Sequence, residues 1–258
     1  MPGPVFARSG AFSRDVLAEG RRYLGDNGFG SYATPGHLAR GAAAVLGLGL
    51  AYAGLLTSGG GLIALAWAAA IGLAGFAILA TLCHDAAHGA LLPSRSFNRW
   101  VLAFGFGVFG VSGALWGWRH VHLHHVYSNV AGTDIDGEGS ALVRLGAHRP
   151  WRWWYRFQPV YAPLLYTLVV MQLAWQEDLR YRRMAIDHGA STFASRRATF
   201  EFVAVKLAHL SVFLVIPALV LQPPPWGLLL GYWIATGIAS LLFILLAAGT
   251  HLSTCLLY

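Results

Sequence analysis

Between residues 84 and 125 the chain reads His84-Asp-Ala-Ala-His88 and then His120-Val-His122-Leu-His124-His125. On an α-helix, side chains four apart stack on one face. His84 with His88, and His120 with His124, can therefore each close on one metal ion. His125 follows about 100° further round and stays near that face, whereas His122 lies about 200° from both its neighbours. We expect His122 to point away from the metal. Neutral imidazole suits iron, copper and zinc alike, so the two boxes announce a transition metal without naming it. Cys83 and Cys255 form no CxxC pair, and two cysteines do not make a disulfide scaffold.

The elements that must position these histidines are apolar. The chain is 56% hydrophobic, with a mean hydropathy of +0.54. Four stretches, near 41–57, 62–82, 201–221 and 226–248, approach or exceed the roughly 20 residues that a bilayer requires. Ser58-Gly59-Gly60-Gly61 joins the first two, and Gln222-Pro223-Pro224-Pro225 the last two, each a helix-breaking turn. The fold class expected is an all-α membrane protein, with four transmembrane helices in two hairpins and additional interfacial helices on the cytoplasmic side. Neither turn carries a charge, while Arg and Lys gather in the N-terminal segment and around 84–206. The positive-inside rule then puts both turns outside and the histidines on the cytoplasmic face.

Residues 1–40 lack the continuous apolar core of a signal peptide and carry Arg8, Arg14, Arg21, Arg22 and Arg40, so they read as a cytoplasmic N-terminal segment. Two further apolar stretches, 97–117 and 159–175, lie between the hairpins. The first is glycine-rich and must begin and end on the histidine side, which predicts a re-entrant or interfacial helix. The second follows Trp151, Trp153, Trp154 and Tyr155, interleaved with Arg149, Arg152 and Arg156. That pattern suits the headgroup layer. A net charge of +7 could point to nucleic acid, but arginines flanking membrane segments are explained by anionic lipid, and no nucleic acid partner is expected.

These motifs resemble the membrane fatty acid desaturase family, from about residue 75 to the end of the chain. His84-Asp-Ala-Ala-His88-Gly89 is similar to its first histidine box. Trp116-Gly-Trp-Arg-His120-Val-His-Leu-His124-His125-Val-Tyr127-Ser-Asn129, followed by Thr133-Asp134-Ile-Asp136, is similar to the second. Together with Arg156-Phe157-Gln158-Pro159 and Tyr161-Ala-Pro-Leu-Leu-Tyr166, they resemble the acyl-lipid and acyl-CoA branch with front-end and linoleoyl-type desaturases. The resemblance implies a desaturase domain over 41–258 and a non-haem di-iron centre that uses O2 to install a cis double bond. It implies His84, His88, His120, His124 and His125 as catalytic metal ligands, and His251 as a further ligand at the end of the last span. Ala247 stands where the family often has an asparagine. The substrate implied is an acyl-CoA or the acyl chain of a phospholipid, and the implied electron donor is a separate ferredoxin or cytochrome b5 type protein. A third box resembling HxxHH is implied beyond the last span, and the sequence ends at Tyr258 before one. A truncated form with incomplete di-iron occupancy is the expectation.

Related readings use the same residues. A di-iron hydroxylase or ketolase shares the C–H abstraction step, a haem protein could use paired histidines, and a non-catalytic membrane module could retain the boxes. Asp85 is expected to hydrogen-bond a bound imidazole more readily than to ligate, and Asp134 and Asp136 can orient the second box in the same way. Asn129 is a candidate donor near the metals. His209, inside the third span, is either functional or a neutral histidine bonded to a neighbouring helix. His37, His148 and His188 stand alone.

Overall fold

Apolar runs bounded by helix-breaking turns become long helices in the computed structural model, which describes residues 10–28, 30–128, 130, 134, 140–146 and 148–251, the side chains of 248, 250 and 251 excepted. No strand occurs among the described residues. The order is α1 (Ala11–Asp26), α2 (Pro35–Thr57), α3 (Gly61–Ala87), α4 (Arg95–Val108), α5 (Gly113–His124), α6 (Trp153–Tyr166), α7 (Val169–Asp187), α8 (Arg196–Leu221) and α9 (Pro225–His251). Helices α2, α3, α8 and α9 are long and apolar enough to cross a bilayer. They correspond to the four spans expected from hydropathy.

Local chemistry sets the boundaries. Thr34 caps α2 by accepting from the His37 N–H, with Pro35 at the first helical position. The turn between α2 and α3 uses Gly59, Gly60 and Gly61 at positive φ, and α8 ends at Gln222 in the left-handed region before three prolines. Helix α3 lies at the centre and packs along both α2 and α9. Its core residues Ala68, Ile71, Ile78 and Leu79 are buried, while Leu46, Leu50, Leu62, Leu219 and Leu229 lie exposed on the outer surface of the bundle. So much outward-facing leucine fits a lipid solvent and would be a liability in water.

The two intervening stretches do not cross straight. Helices α4 and α5 meet at a 108° bend, and α6 and α7 at 62°. The first bend falls within the 97–117 stretch read as re-entrant or interfacial, and its shape is that of a re-entrant loop or of a broken span. A break in lipid exposes backbone groups that need partners, and here side chains of the spans supply them. At the second break, Ser240 of α9 donates to the Tyr166 carbonyl at 2.5 Å and accepts from the Val170 N–H at 3.1 Å.

At the first bend, α4 closes with Gly110 at φ +73°, the Val111 N–H bonding back to the Phe106 carbonyl. Polar side chains then grip the loop. His209 Nδ1 lies 2.9 Å from the Val108 carbonyl. Lys206 donates to the Gly110 carbonyl at 2.5 Å and to Asp178 at 2.5 Å. Asp178 also accepts the Ser112 N–H at 2.7 Å. Gly113 opens α5 so close to α4 that a Cβ would sit 2.3 Å from the Leu102 carbonyl oxygen. His209 is thus the bonded histidine of the two readings above, its Nε2 lying 2.9 Å from the Tyr232 hydroxyl.

Candidate metal centre

The first box sits at the end of α3 farthest from the Gly59–Gly61 turn. His84 begins the α-helical segment His84–Ala87, and the His88 N–H reaches the His84 carbonyl at 3.3 Å. The ring centroids of His84 and His88 are 4.9 Å apart. Immediately before His84 the helix is π-wound from Ile78 to Cys83. Such segments often mark functional sites, because one extra residue per turn re-aims the side chains that follow.

The second box is itself π-wound, from His120 to His124, and the His125 N–H bonds to the His120 carbonyl at 2.9 Å, an i to i+5 step. The four-residue spacing of His120 and His124 therefore does not decide which rings face each other. His120 and His125 do, with Nε2 atoms 3.0 Å apart, while His88 Nε2 lies 3.3 Å from His120 Nε2. His84, His88, His120 and His125 each offer one ring nitrogen, and all four lie within 4.8 Å of one another. Two imidazole nitrogens about 2.1 Å from a shared ion stand roughly 3.0–3.4 Å apart. The observed spacings of His120 to His88 and His125 fit that requirement.

His124 stands beside this cluster. Its ring centroid is 5.2 Å from that of His125 and 5.6 Å from that of His120. The imidazole is buried, with Nδ1 2.9 Å from the Asp134 carboxylate. This is the orienting contact that metal-bound histidines commonly make, and it leaves Nε2 as the nitrogen directed away from Asp134. His122 is exposed and outside the cluster, with Nδ1 3.1 Å from the Trp118 carbonyl. His251 ends α9, but its side chain lies outside the described residues, as do Asn129 and Asp136.

His120 is central. Burial first, and then the neighbouring His125, His84, His88 and His124, push its pKa down to about 2. It is held neutral, the protonation state a metal ligand requires. Trp116, one turn earlier, stacks on its ring at 4.4 Å with an 18° tilt, and Phe106 stacks on Trp116 at 4.2 Å. The aromatic shelf fixes the imidazole plane. On the other side Asp85 lies between His84, at 3.8 Å, and His37 of α2, at 3.3 Å. Sequence reasoning left His37 unassigned, and nothing local could pair residue 37 with residue 85. Trp116 was visible in the motif, but its role as a shelf was not. Cys83 is buried, its Sγ 3.7 Å from the Val101 carbonyl.

A cluster of four histidines at the end of helices long and apolar enough to cross a bilayer is a group that could hold a metal ion in a membrane protein. The fatty acid desaturase family model matches residues 60–254, and the chain belongs to that family. It is 30% identical over 145 residues to the sn-1 linoleoyl-lipid 6-desaturase of Arthrospira platensis, covering 55% of this chain and 38% of that protein. It is 37% identical over 100 residues to the enzyme of the same name from Synechocystis, covering 39% and 27%. The Delta(5) fatty acid desaturase A of Dictyostelium discoideum is 34% identical over 96 residues, covering 36% and 21%. The chain thus spans well under half the length of these relatives. No solved structure matches it.

Proposed function

We propose that this protein is an oxygen-dependent acyl-lipid desaturase that introduces a cis double bond into a membrane acyl chain. The observation that carries the reading is the convergence of His84, His88, His120 and His125, whose ring nitrogens all lie within 4.8 Å of one another in a member of this family. The relatives' names, linoleoyl-lipid 6-desaturase among them, favour an acyl lipid over a free acid as substrate. The metal proposed is non-haem iron, two ions in all. The four clustered histidines would hold one, and His124, oriented by Asp134, would serve the second together with His251. Iron supplies the oxygen activation and hydrogen removal that acid-base side chains cannot perform on an unactivated methylene.

The chain's own contribution is placement. Burial and mutual proximity keep His120 neutral, Trp116 sets its plane, and Asp134 selects the nitrogen that His124 presents. The charge-free turns favour a centre on the cytoplasmic side, with 1–40 proposed as a cytoplasmic segment and 41–258 as the desaturase domain. Electrons would come from a separate ferredoxin or cytochrome b5 type protein, and an acyl-CoA remains the second carrier to test.

The test combines two measurements. Metal analysis of the purified chain should find non-haem iron, and gas chromatography of lipids from a host expressing the chain, alone or extended by a segment carrying an HxxHH box, should find a new unsaturated acid. Hydroxylated or oxo products in its place would move the activity to a hydroxylase or ketolase. Absence of both iron and product in either form would overturn the proposal.

A further inference from the structure

Helix α1 has two unlike faces. At about 100° per residue, Phe12, Val16, Leu17 and Leu24 fall within an arc of roughly 140°. All six of its charged residues, Arg14, Asp15, Glu19, Arg21, Arg22 and Asp26, fall in the remaining arc. The apolar face has no cover among the described residues: nothing in α1 is buried, and Phe12 and Leu17 are 80% and 59% exposed.

The helix is not self-supporting. Sixteen residues is close to the minimum of roughly 12–15 for an isolated helix in water, a limit that holds for alanine-rich chains. Here Gly20 and Gly25 weaken the interior, Gly10 at the N-cap makes no side-chain bond, and no acidic residue occupies the first turn. Helices of this kind draw their stability from packing of the apolar face. The polar face sets three arginines against three carboxylates, with Arg22 bonded to Glu19, and so carries no net charge by which a partner could be drawn.

The position of α1 narrows what covers it. Residues 27–32 carry no charge and lead to Ala33, whose N–H reaches the Ala90 carbonyl at 3.1 Å, two residues past His88. Pro35 then opens the span α2, on which Leu46 and Leu50 face outward. A tether of six residues reaches no more than about 20 Å. It therefore holds α1 close to the point where a spanning helix leaves the bilayer, on the side of the first histidine box, and the apolar phase within its reach is the bilayer.

We propose that α1 lies flat in the bilayer surface on the histidine side, with Phe12, Val16, Leu17 and Leu24 among the upper acyl carbons and the charged face toward water. The partner is a phospholipid surface irrespective of headgroup charge, because the helix binds through its apolar area. The assignment rests on the spanning helices and is independent of the chemistry at the histidines.

Nitroxide scanning of the full chain in phosphatidylcholine nanodiscs tests it. The chain carries Cys255→Ser, and Cys83 is buried. Accessibility to oxygen, which concentrates in lipid, is compared with accessibility to a water-soluble nickel chelate. Leu50→Cys, on the outer surface of α2, calibrates the lipid value and shows that the chain is inserted. The oxygen-to-nickel ratio should be several-fold higher at Val16→Cys and Leu24→Cys than at Ala18→Cys and Arg22→Cys on the opposite face. An equal mixture of phosphatidylcholine and phosphatidylglycerol should give the same contrast, and adding Leu17→Glu should lower the ratio at Val16→Cys several-fold. Nickel reaching both faces equally would put α1 in water, and exclusion of both reagents from the apolar face would mean that protein covers it. Either result, or a contrast that appears only with phosphatidylglycerol, overturns the proposal.

Discussion

The two histidine boxes reach one place by different routes. The first lies at the end of a continuous span, its histidines one α-turn apart, with α2 and α9 packed along the same helix. The second rides on a helix that turns back through 108° and is π-wound through the box itself. Its position depends on Lys206, Asp178 and His209, which are far away in sequence and hold the bend, while the nearby Asp134 and Trp116 aim the rings. A histidine pair on a straight span is set by local winding, whereas one on a bent helix is set by the groups that stabilise the bend. The second box is therefore the part of the centre most sensitive to distant substitution.

The largest effect expected is at the shared cluster. Alanine at His84, His88, His120 or His125 should lower iron affinity by more than about 100-fold, beyond the range usual for residues that only orient a ligand. The informative pair is His125→Ala against His124→Ala, read by iron titration. With π winding, His125→Ala strips the ion bound with His120, while His124→Ala leaves it in place. The reverse order would show an α-wound box in the membrane and erase the contrast drawn above.

The bend comes next. Lys206→Met leaves the Asp178 carboxylate buried without its ammonium, a change that costs about 3–5 kcal/mol when a buried pair is broken from one side. Replacing both, as Lys206→Met with Asp178→Leu, should recover part of the loss, the part that remains reflecting the Ser112 N–H and Gly110 carbonyl left behind. Unfolding in mixed micelles measures the stability. A loss no larger than that of a surface lysine would show that the clamp does not hold the bend.

Smaller still is the orienting carboxylate. Asp134→Asn should reduce metal affinity about 10–100-fold, whereas Asp85→Asn should cost less, because Asp85 is partly exposed and 3.8 Å from His84. Equal losses would mean that the first box relies on its orienting groups as much as the second does. At the bottom of the scale, His122→Ala should leave iron binding and fold unchanged within about 0.5 kcal/mol, as for other exposed positions.

Much of this was legible from the residues. Hydropathy and the Ser58–Gly61 and Gln222–Pro225 turns defined four spans, since a bilayer imposes a length and composition that any 20-residue window reveals. The histidines that converge were all named from their spacing, His122 was set aside, and Asp134 was one of two carboxylates, with Asp136, named as able to orient the second box. The winding through His120–His124 was not legible. An α and a π segment share the same residue types, and the choice between them is made by packing against the rest of the bundle. Nor could sequence join His37 to Asp85, Ser240 to the broken ends at Tyr166 and Val170, or Asp178 to Lys206. These pairings satisfy backbone groups or charges where water is excluded, so they exist only once the helices have packed. The sequence alone determined which segments enter the membrane and which side chains can bind metal, because both follow from local composition and spacing. Only the tertiary structure decided which imidazoles face one another, because that depends on how a bent helix is held.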